Sequence, residues 1–263
     1  MYGHRLKLQR ALEHLEALQA AVDGWAEDEP CVVSYECEVA TRKHTLTQRT
    51  IGQPTEPIFC FLIGDAVHNM RQGLDHLAYR LAITVYQSDP PPNARICMWP
   101  IRTKAELPSR ITNYVGPQNN MPPGMYAAIE GFQTDAGSDG VLLDALHWLD
   151  NLDKHRFPPL VAGLAKSIDL GGLNATGGVE ISDVLSAQTV VSAIGAQIKL
   201  GAFENGKVII KTGSEMNVTV SPTASIAFDK TNDVAPGELV LPLLESIRNA
   251  IVNRVLPTME AFL

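Results

Sequence analysis

LIGDAVHNMRQGLDHLAYRLA, residues 62–82, predicts one long amphipathic helix and decides the fold class of this chain. At about 100° per residue, six apolar side chains share one face and are expected in the core: Ile63, Val67, Met70, Leu74, Leu77 and Leu81. The polar residues fall on two flanks, with His68, Arg71 and Asp75 on one and Asp65, Asn69 and His76 on the other. Neither flank carries Lys or Glu, so neither is typical of an ordinary solvent-facing surface.

A second stretch, LLDALHWLDNLDKHR, residues 142–156, predicts a helix whose apolar stripe ends in charged residues. Its aliphatic positions are followed on the same face by Asp153 and Arg156. A charged group that faces the core is costly unless it is paired. We therefore expect Asp153 to be largely buried and bonded to Arg71 or Arg156, as part of a network with His68 and Asp75. A purely structural ion-pair network that fixes helix register is an equally open interpretation.

The remaining segments predict an α+β protein made of one unit, residues 1–263, in which a helical bundle layer packs with a mainly antiparallel β layer. Four main helices are expected within residues 4–25, 58–157 and 237–263, and strands within 31–56 and 160–236. Residues 89–122 contain seven prolines and are expected to be irregular. His4 and His44 lie in no polar constellation and are expected at the surface.

Composition limits the classes of function. A formal net charge of −8 over 263 residues argues against a broad surface for nucleic acid or anionic membranes, but it permits a local basic pocket. No apolar run approaches the roughly 20 residues of a membrane-spanning helix, so no membrane association is expected. The four cysteines form no Cys-x-x-Cys pair, which predicts reduced thiols and a cytoplasmic protein.

Two short blocks carry a resemblance. NMRQGLDH, residues 69–76, and NLDKHR, residues 151–156, resemble a set of uncharacterised bacterial proteins that share N-x-R-x-x-x-D-H and N-x-D-K-H-R. Arg71 and His76 are also similar to the R-x4-6-H signature of the HEPN superfamily, helical domains that include metal-independent ribonucleases. The resemblance implies that Arg71 holds the scissile phosphate and that His76 transfers protons.

From this resemblance we predict a catalytic set and a supporting set. The predicted catalytic residues are Arg71, His76 and His155, and the supporting polar network comprises His68, Asn69, Asp75, Asn151, Asp153 and Arg156. RNA bound at a local site is the expected partner, and no cofactor is expected. Because Arg71 and His76 lie roughly 140° apart on one helix, a composite site predicts a homodimer.

Two other classes of function stay open at this point. Asp65-x-x-His68 and His147-x-x-Asp150 each place a carboxylate and an imidazole one helical turn apart, which suits a transition metal in a bundle, although no metal is expected to be required for folding. A binding module needs no catalytic residue, and its polar network would serve stability alone. A serine hydrolase is disfavoured because the chain has no G-x-S-x-G elbow. An open cleft lined by Arg71, His76 and His155 would favour the enzyme.

Overall fold

The computed structural model describes a mixture of helices and antiparallel sheets, as expected of an α+β protein. The described residues are 3–28, 31–41, 43–50, 52, 54–101, 107–133, 136–171, 179–182, 192–194, 197–200, 206–212, 217–220, 223–229 and 235–263. His44 lies within a strand, but its side chain is outside the described part, so its predicted exposure stays a prediction. No helix among the described residues is long and apolar enough to cross a membrane.

Seven α-helices are present in the described part of the chain. They are α1 (Gly3–Glu27), α2 (Pro57–Tyr86), α3 (Leu107–Tyr114), α4 (Met125–Glu130), α5 (Ser138–Asp153), α6 (Val240–Ala250) and α7 (Leu256–Glu260). A short 3-10 helix covers Gln118–Asn120, and a π-helical turn covers Ile251–Val255. The π turn ends two residues before Pro257, whose ring nitrogen cannot donate the α-helical hydrogen bond to the carbonyl of Asn253 within that turn.

In the described part of the chain, the strands form two antiparallel sheets. Their bounds are β1 (Cys31–Glu38), β2 (Lys43–Thr50), β3 (Leu160–Gly171), β4 (Val179–Ser182), β5 (Ser192–Ile194), β6 (Gln197–Leu200), β7 (Gly206–Thr212), β8 (Asn217–Val220) and β9 (Thr223–Phe228). One sheet has the order β1-β2-β7-β4. The other has the order β5-β6-β3-β8, and β9 pairs with the first half of β3. Every described pairing is antiparallel, which confirms the predicted strand direction.

Contacts divide the chain into two compact units. The first contains Met1–Leu18, Cys60–Pro158 and Pro242–Leu263, and the second contains Gln19–Phe59 and Pro159–Leu241. The second unit holds the strands, with Val161, Ala227 and Leu239 packed together in a small apolar cluster. The sequence prediction that the whole chain forms one unit stays a prediction.

In the first unit, four helical segments contact one another in turn. His14 of α1 lies 3.8 Å from Asp65 of α2, and His68 of α2 contacts Asp150 of α5. Asp139 of α5 pairs with Arg254 in the π turn. The chain of contacts closes at α7, where Glu260 binds the start of α1 through His4 and Arg5.

The predicted apolar face of α2 is confirmed. All six of its expected core residues are at most 2% exposed: Ile63, Val67, Met70, Leu74, Leu77 and Leu81. The helix itself runs for 30 residues, longer than the quoted stretch. Because the apolar face of α2 packs against the core, the orientation of its two polar flanks is fixed as well.

Two sequence predictions, for the segment 89–122 and for His4, are wrong. The segment 89–122 is not irregular throughout, because α3 forms within it, and Pro108 is tolerated there since the first turn of a helix needs no donated N–H bonds. His4 is not at the surface but fully buried, where its Nε2 donates to Glu260 Oε1 at 2.8 Å. Its partner lies 256 residues away in the sequence, so no local pattern could show the pair.

Candidate functional site

Arg71, Asp75 and Trp99 form a tight polar clamp on α2. Arg71 Nη2 donates to the Trp99 carbonyl oxygen at 2.8 Å and lies 2.9 Å from Asp75 Oδ1. The same Oδ1 accepts the backbone N–H of Trp99 at 2.9 Å. One residue of the chain after α2 is therefore held through both of its backbone polar groups.

The clamp is buried. Arg71 is 7% exposed and the Trp99 ring is completely enclosed. Arg71 Nη1 is also buried and has no hydrogen-bond partner among the described residues. A guanidinium in this position cannot reach an external phosphate unless the bonds to Asp75 and Trp99 break.

A cavity of about 380 Å³ opens beside the clamp, and its lining combines acidic, basic and neutral polar groups. It is lined by Gly3, Asp75, His76, Tyr79, Arg80 and Cys97. Its volume falls within the range of small-molecule sites. His76 and Arg80 are one helical turn apart on α2, so both can face the same ligand.

The His76 imidazole packs closely against the first residue of α1. A Cβ atom added at Gly3 would lie 2.6 Å from His76 Nδ1, so a larger residue there would displace the ring. The nearest ring atoms are Nδ1, Cε1 and Cγ, and Nε2 is not among them. The Nε2 edge is therefore the one turned away from Gly3.

The surroundings of three lining groups shift their pKa values. Loss of hydration and the positive charge of Lys7 lower the pKa of His76, which favours the neutral imidazole. Loss of hydration and the Asp89 carboxylate raise the pKa of Tyr79, so its phenol keeps its proton. Burial raises the pKa of Cys97 to about 11, so its thiol is not a ready nucleophile at neutral pH.

The Asp75 carboxyl experiences two opposing influences. Burial raises its pKa, whereas the Arg71 guanidinium and the Trp99 N–H bond lower it, and burial is the larger effect. Its side chain keeps 29% of its surface exposed and lines the cavity. Asp75 thus belongs both to the clamp and to the cavity.

A second polar cluster lies where α2 meets α5. Asp150 is 4% exposed, and His68 Nδ1 lies 3.3 Å from its Oδ1. The Gln72 side-chain amide lies 2.6 Å from His68 Nε2, where only the amide can donate. His68 Nδ1 therefore carries the proton and donates to Asp150, which also accepts from Lys154 Nζ.

The prediction that Asp153 is the buried carboxylate bonded to Arg71 or Arg156 is wrong. Asp153 is partly exposed at the last position of α5, Arg156 is exposed in the following turn, and Arg71 pairs with Asp75 instead. The helix ends at Asp153, so the apolar stripe reaches only its last residue and cannot continue to Arg156. Asp150 takes the buried position, and its spacing of four residues after Leu146 was the available sequence signal.

Asp153 nevertheless packs against α2. A Cβ atom added at Gly64 would lie 2.7 Å from Asp153 Cγ, so the close approach of the two helices requires glycine. Burial and the nearby Asp150 carboxylate raise the pKa of Asp153. Because Gly64 faces Asp153 and His68 faces Asp150, α2 and α5 run antiparallel.

The other predicted site residues lie apart from the cavity. His155 is exposed in the turn after α5, two residues beyond Asp153, which packs against Gly64. Gly64 is 12 residues, or about 18 Å along α2, from His76. Asn151 donates to His147 Nε2 at 3.1 Å, and Asn69 donates to the carbonyl oxygen of Asp65 at 2.8 Å. The structure thus brings His76 and Asp75 to the cavity and places Arg71 directly behind them, whereas His155 is elsewhere.

Of the four residues of the metal hypothesis, His68 and Asp150 contact each other. Asp65 lies 3.8 Å from His14 instead, and His147 accepts from Asn151. In the described part of the chain, no three His, Cys, Asp or Glu side chains are grouped so that they could hold a metal ion. Three residues of the cavity lining were not identified from the sequence: Tyr79, Arg80 and Cys97. The position of Arg80, four residues after His76, was the sequence signal that could have identified Arg80.

Comparison with known proteins adds no relative to this description. No family model matches the chain. No curated protein and no solved structure matches it either.

Proposed function

We propose that this protein is a HEPN-like, metal-independent ribonuclease that acts at the cavity beside His76. The observation that carries the proposal is that an imidazole and a guanidinium, those of His76 and Arg80, lie one helical turn apart in one cavity of about 380 Å³. The lowered pKa of His76 favours the neutral form that a general base needs. RNA carries its own nucleophile, the ribose 2′-hydroxyl. Its cleavage therefore needs only proton transfer and stabilisation of the phosphate charge.

In the proposed reaction, His76 is the general base. Its neutral imidazole takes the proton from the 2′-hydroxyl, and the 2′-oxygen attacks the adjacent phosphorus. The bond from phosphorus to the 5′-oxygen breaks and a 2′,3′-cyclic phosphate forms. Tyr79, whose phenol keeps its proton and donates it to Asp89 Oδ1 at 3.4 Å in the free protein, turns this proton to the leaving 5′-oxygen.

Arg80 supplies the positive charge in this mechanism. It lines the cavity, whereas Arg71 is bonded to Asp75 and Trp99 behind the cavity wall. We therefore assign phosphate binding to Arg80 and a structural role to Arg71, in place of the role that the HEPN resemblance implies for Arg71. Lys7, which lowers the pKa of His76, adds a second positive charge near the site.

The charge of the chain restricts the form of the substrate. With a net charge of −8, capture depends on the few cations around the cavity and not on a long basic groove. A cavity of about 380 Å³ can bind one unstacked nucleotide but not a duplex. A single-stranded or looped RNA is therefore the proposed substrate.

Further parts of the proposal concern assembly and location. We propose that α1, α2, α5 and the C-terminal helices form a four-helix bundle, supported by the helix contacts within the first unit. A homodimer is proposed because a second protomer could bring His155 to the cavity of the first. A cytoplasmic location fits the unpaired thiols of Cys60 and Cys97.

A binding module without turnover is the second candidate. It is favoured by the clamp, since Arg71 and Asp75 hold the chain at Trp99 and so shape one wall of the cavity. In that function, Arg80 and His76 would bind an anionic ligand and no bond would break. The same cavity serves both candidates, so an activity measurement separates them.

The test is incubation of mixed single-stranded RNA with the purified protein in EDTA. His76→Gln and Arg80→Ala should each lower cleavage by at least about 100-fold, as expected for loss of a general base or of the group that stabilises the phosphate charge. The matched controls are His14→Gln and Arg10→Ala on α1, away from the cavity lining. Each variant is checked for an unchanged circular dichroism spectrum.

Three outcomes separate the alternatives. Cleavage by the wild type that is lost in the two cavity variants supports the ribonuclease. Absence of cleavage by the wild type, with binding of nucleotides intact, supports the binding module. If His155→Gln lowers cleavage as much as the two cavity variants do, the site is a composite one that uses His155 of a second protomer.

A further inference from the structure

The two oxygens of the Asp75 carboxylate have different surroundings. Oδ1 accepts from Arg71 Nη2 and from the Trp99 backbone N–H, both at 2.9 Å. Among the described residues, no hydrogen bond reaches Oδ2. The Asp75 side chain is 29% exposed and lines the cavity, so a ligand there can reach its unused oxygen.

The clamp holds this acceptor rigidly. A carboxylate that is fixed at one oxygen by two hydrogen bonds loses little further freedom when a ligand binds the other oxygen. Because Arg71 is buried next to it, Asp75 also keeps its negative charge more readily than an isolated buried carboxyl would. The cavity therefore contains a preorganised acceptor that the proposed cleavage mechanism does not use.

We propose that Asp75 Oδ2 reads the Watson–Crick edge of guanine, which makes Asp75 the specificity-determining residue of the cavity. This inference rests on the proposed ribonuclease function. Guanine presents adjacent N–H and NH₂ donors, and one carboxylate oxygen has lone pairs for both. Adenine and cytosine offer an amino donor beside a ring acceptor, and uracil places its single N–H between two carbonyl oxygens that repel a carboxylate.

The geometry also separates base and phosphate. Asp75 and Arg80 are five residues apart on α2, which is about 7.5 Å along the helix axis and roughly 140° around it, and both side chains nevertheless line the one cavity. One nucleotide can then place its base edge at Asp75 and its phosphate at Arg80, with His76 between them. The ribose 2′-hydroxyl of a guanosine would lie on the side of the proposed general base.

The test is calorimetric titration of the wild-type protein with the 3′-monophosphates of guanosine, inosine, adenosine and uridine. Guanosine 3′-monophosphate should bind most tightly. Inosine lacks the 2-amino group and should bind roughly tenfold more weakly, as expected for loss of one hydrogen bond to a charged acceptor. Adenosine and uridine should bind more weakly still. Equal affinity for all four nucleotides, or no binding of any, would overturn the proposal.

A variant gives a second measurement. Asp75→Asn keeps an acceptor for the Trp99 N–H but offers an amide in place of the anion, so the preference for guanosine over adenosine should fall by at least about tenfold. Asp65→Asn, an exposed carboxylate on the same helix, is the matched control and should keep the preference. If Asp75→Asn does not fold, the wild-type nucleotide series still decides.

Cleavage assays distinguish the failure of this inference from that of the proposed function. Guanosine preference in binding without any RNA cleavage would overturn the ribonuclease and keep Asp75 as the specificity residue of a binding site. Cleavage that occurs equally after all four bases would keep the ribonuclease and overturn the role of Asp75.

Discussion

His68 Nδ1 donates to Asp150 Oδ1 across 3.3 Å and so joins the middle of α2 to the C-terminal half of α5. The carboxylate is almost fully buried and the imidazole is half exposed. Lys154 pairs with the other oxygen of Asp150. The contact therefore fixes the register of two antiparallel helices, which is the structural role that the sequence left open for its polar network.

Asp150→Ala should lower the free energy of unfolding by about 1–3 kcal/mol, because it removes the shared acceptor of two donors. The loss is smaller than for a fully buried ion pair, since His68 and Lys154 are each about half exposed and can recover water. Urea unfolding measures the change. Asp153→Ala is the matched control on the same helix, and a greater loss in that variant would contradict the assignment of Asp150 as the key carboxylate.

Asp153→Asn should raise the melting temperature at neutral pH. Because burial and Asp150 raise its folded-state pKa above 3.8, the ionised Asp153 destabilises the fold at higher pH. That cost disappears as the pH falls through the folded-state pKa toward 3.8, so the benefit of the substitution should vanish there. The gain should stay below about 1 kcal/mol, since solvent screens a partly exposed group. Thermal melts at several pH values give the answer, and destabilisation at pH 7 would refute it.

Arg71→Ala should destabilise the fold by about 3 kcal/mol or more, because the Asp75 carboxylate and the Trp99 carbonyl oxygen lose their buried donor. The measurement is urea unfolding beside the control Arg10→Ala, because the exposed Arg10 guanidinium pairs with Glu13 in its own helix. Wild-type stability in Arg71→Ala, together with lost RNA cleavage, would restore the catalytic role that the HEPN resemblance implies.

The parts of the fold that follow from local periodicity could be predicted from the sequence. The apolar face of α2 needs only a helical repeat, and Arg71 and Asp75 were placed on one flank because they are four residues apart. Trp99 could not be predicted as their partner. It lies 24 residues beyond Asp75, and its contribution is a backbone N–H and carbonyl, which every residue has.

The site was predicted less completely than the fold for a related reason. Asp153 was chosen by extending the apolar stripe to the last residue of α5, where the side chain is partly exposed, and Arg156 lies beyond the helix, where a helical projection no longer applies. The cavity requires Gly3 and Cys97, which come from segments far from α2 in the sequence. Only a three-dimensional arrangement shows that Arg80, and not Arg71, shares a cavity with His76.

The pH dependence of RNA cleavage tests the role of His76. A general base acts in its neutral form, so the rate should rise with pH through the pKa of His76 and then level off. Loss of hydration and the charge of Lys7 lower that pKa below 6.5, so the rise should lie on the acid side of an ordinary histidine. Lys7→Gln removes a charge that disfavours the imidazolium and should move the rise to higher pH. Arg10 carries the same charge on the same helix but does not contribute to the shift in the pKa of His76. Arg10→Gln should therefore leave the pH profile of cleavage unchanged. A rise that begins above pH 6.5 in the wild type, or one unmoved by Lys7→Gln, would show that another group is the base.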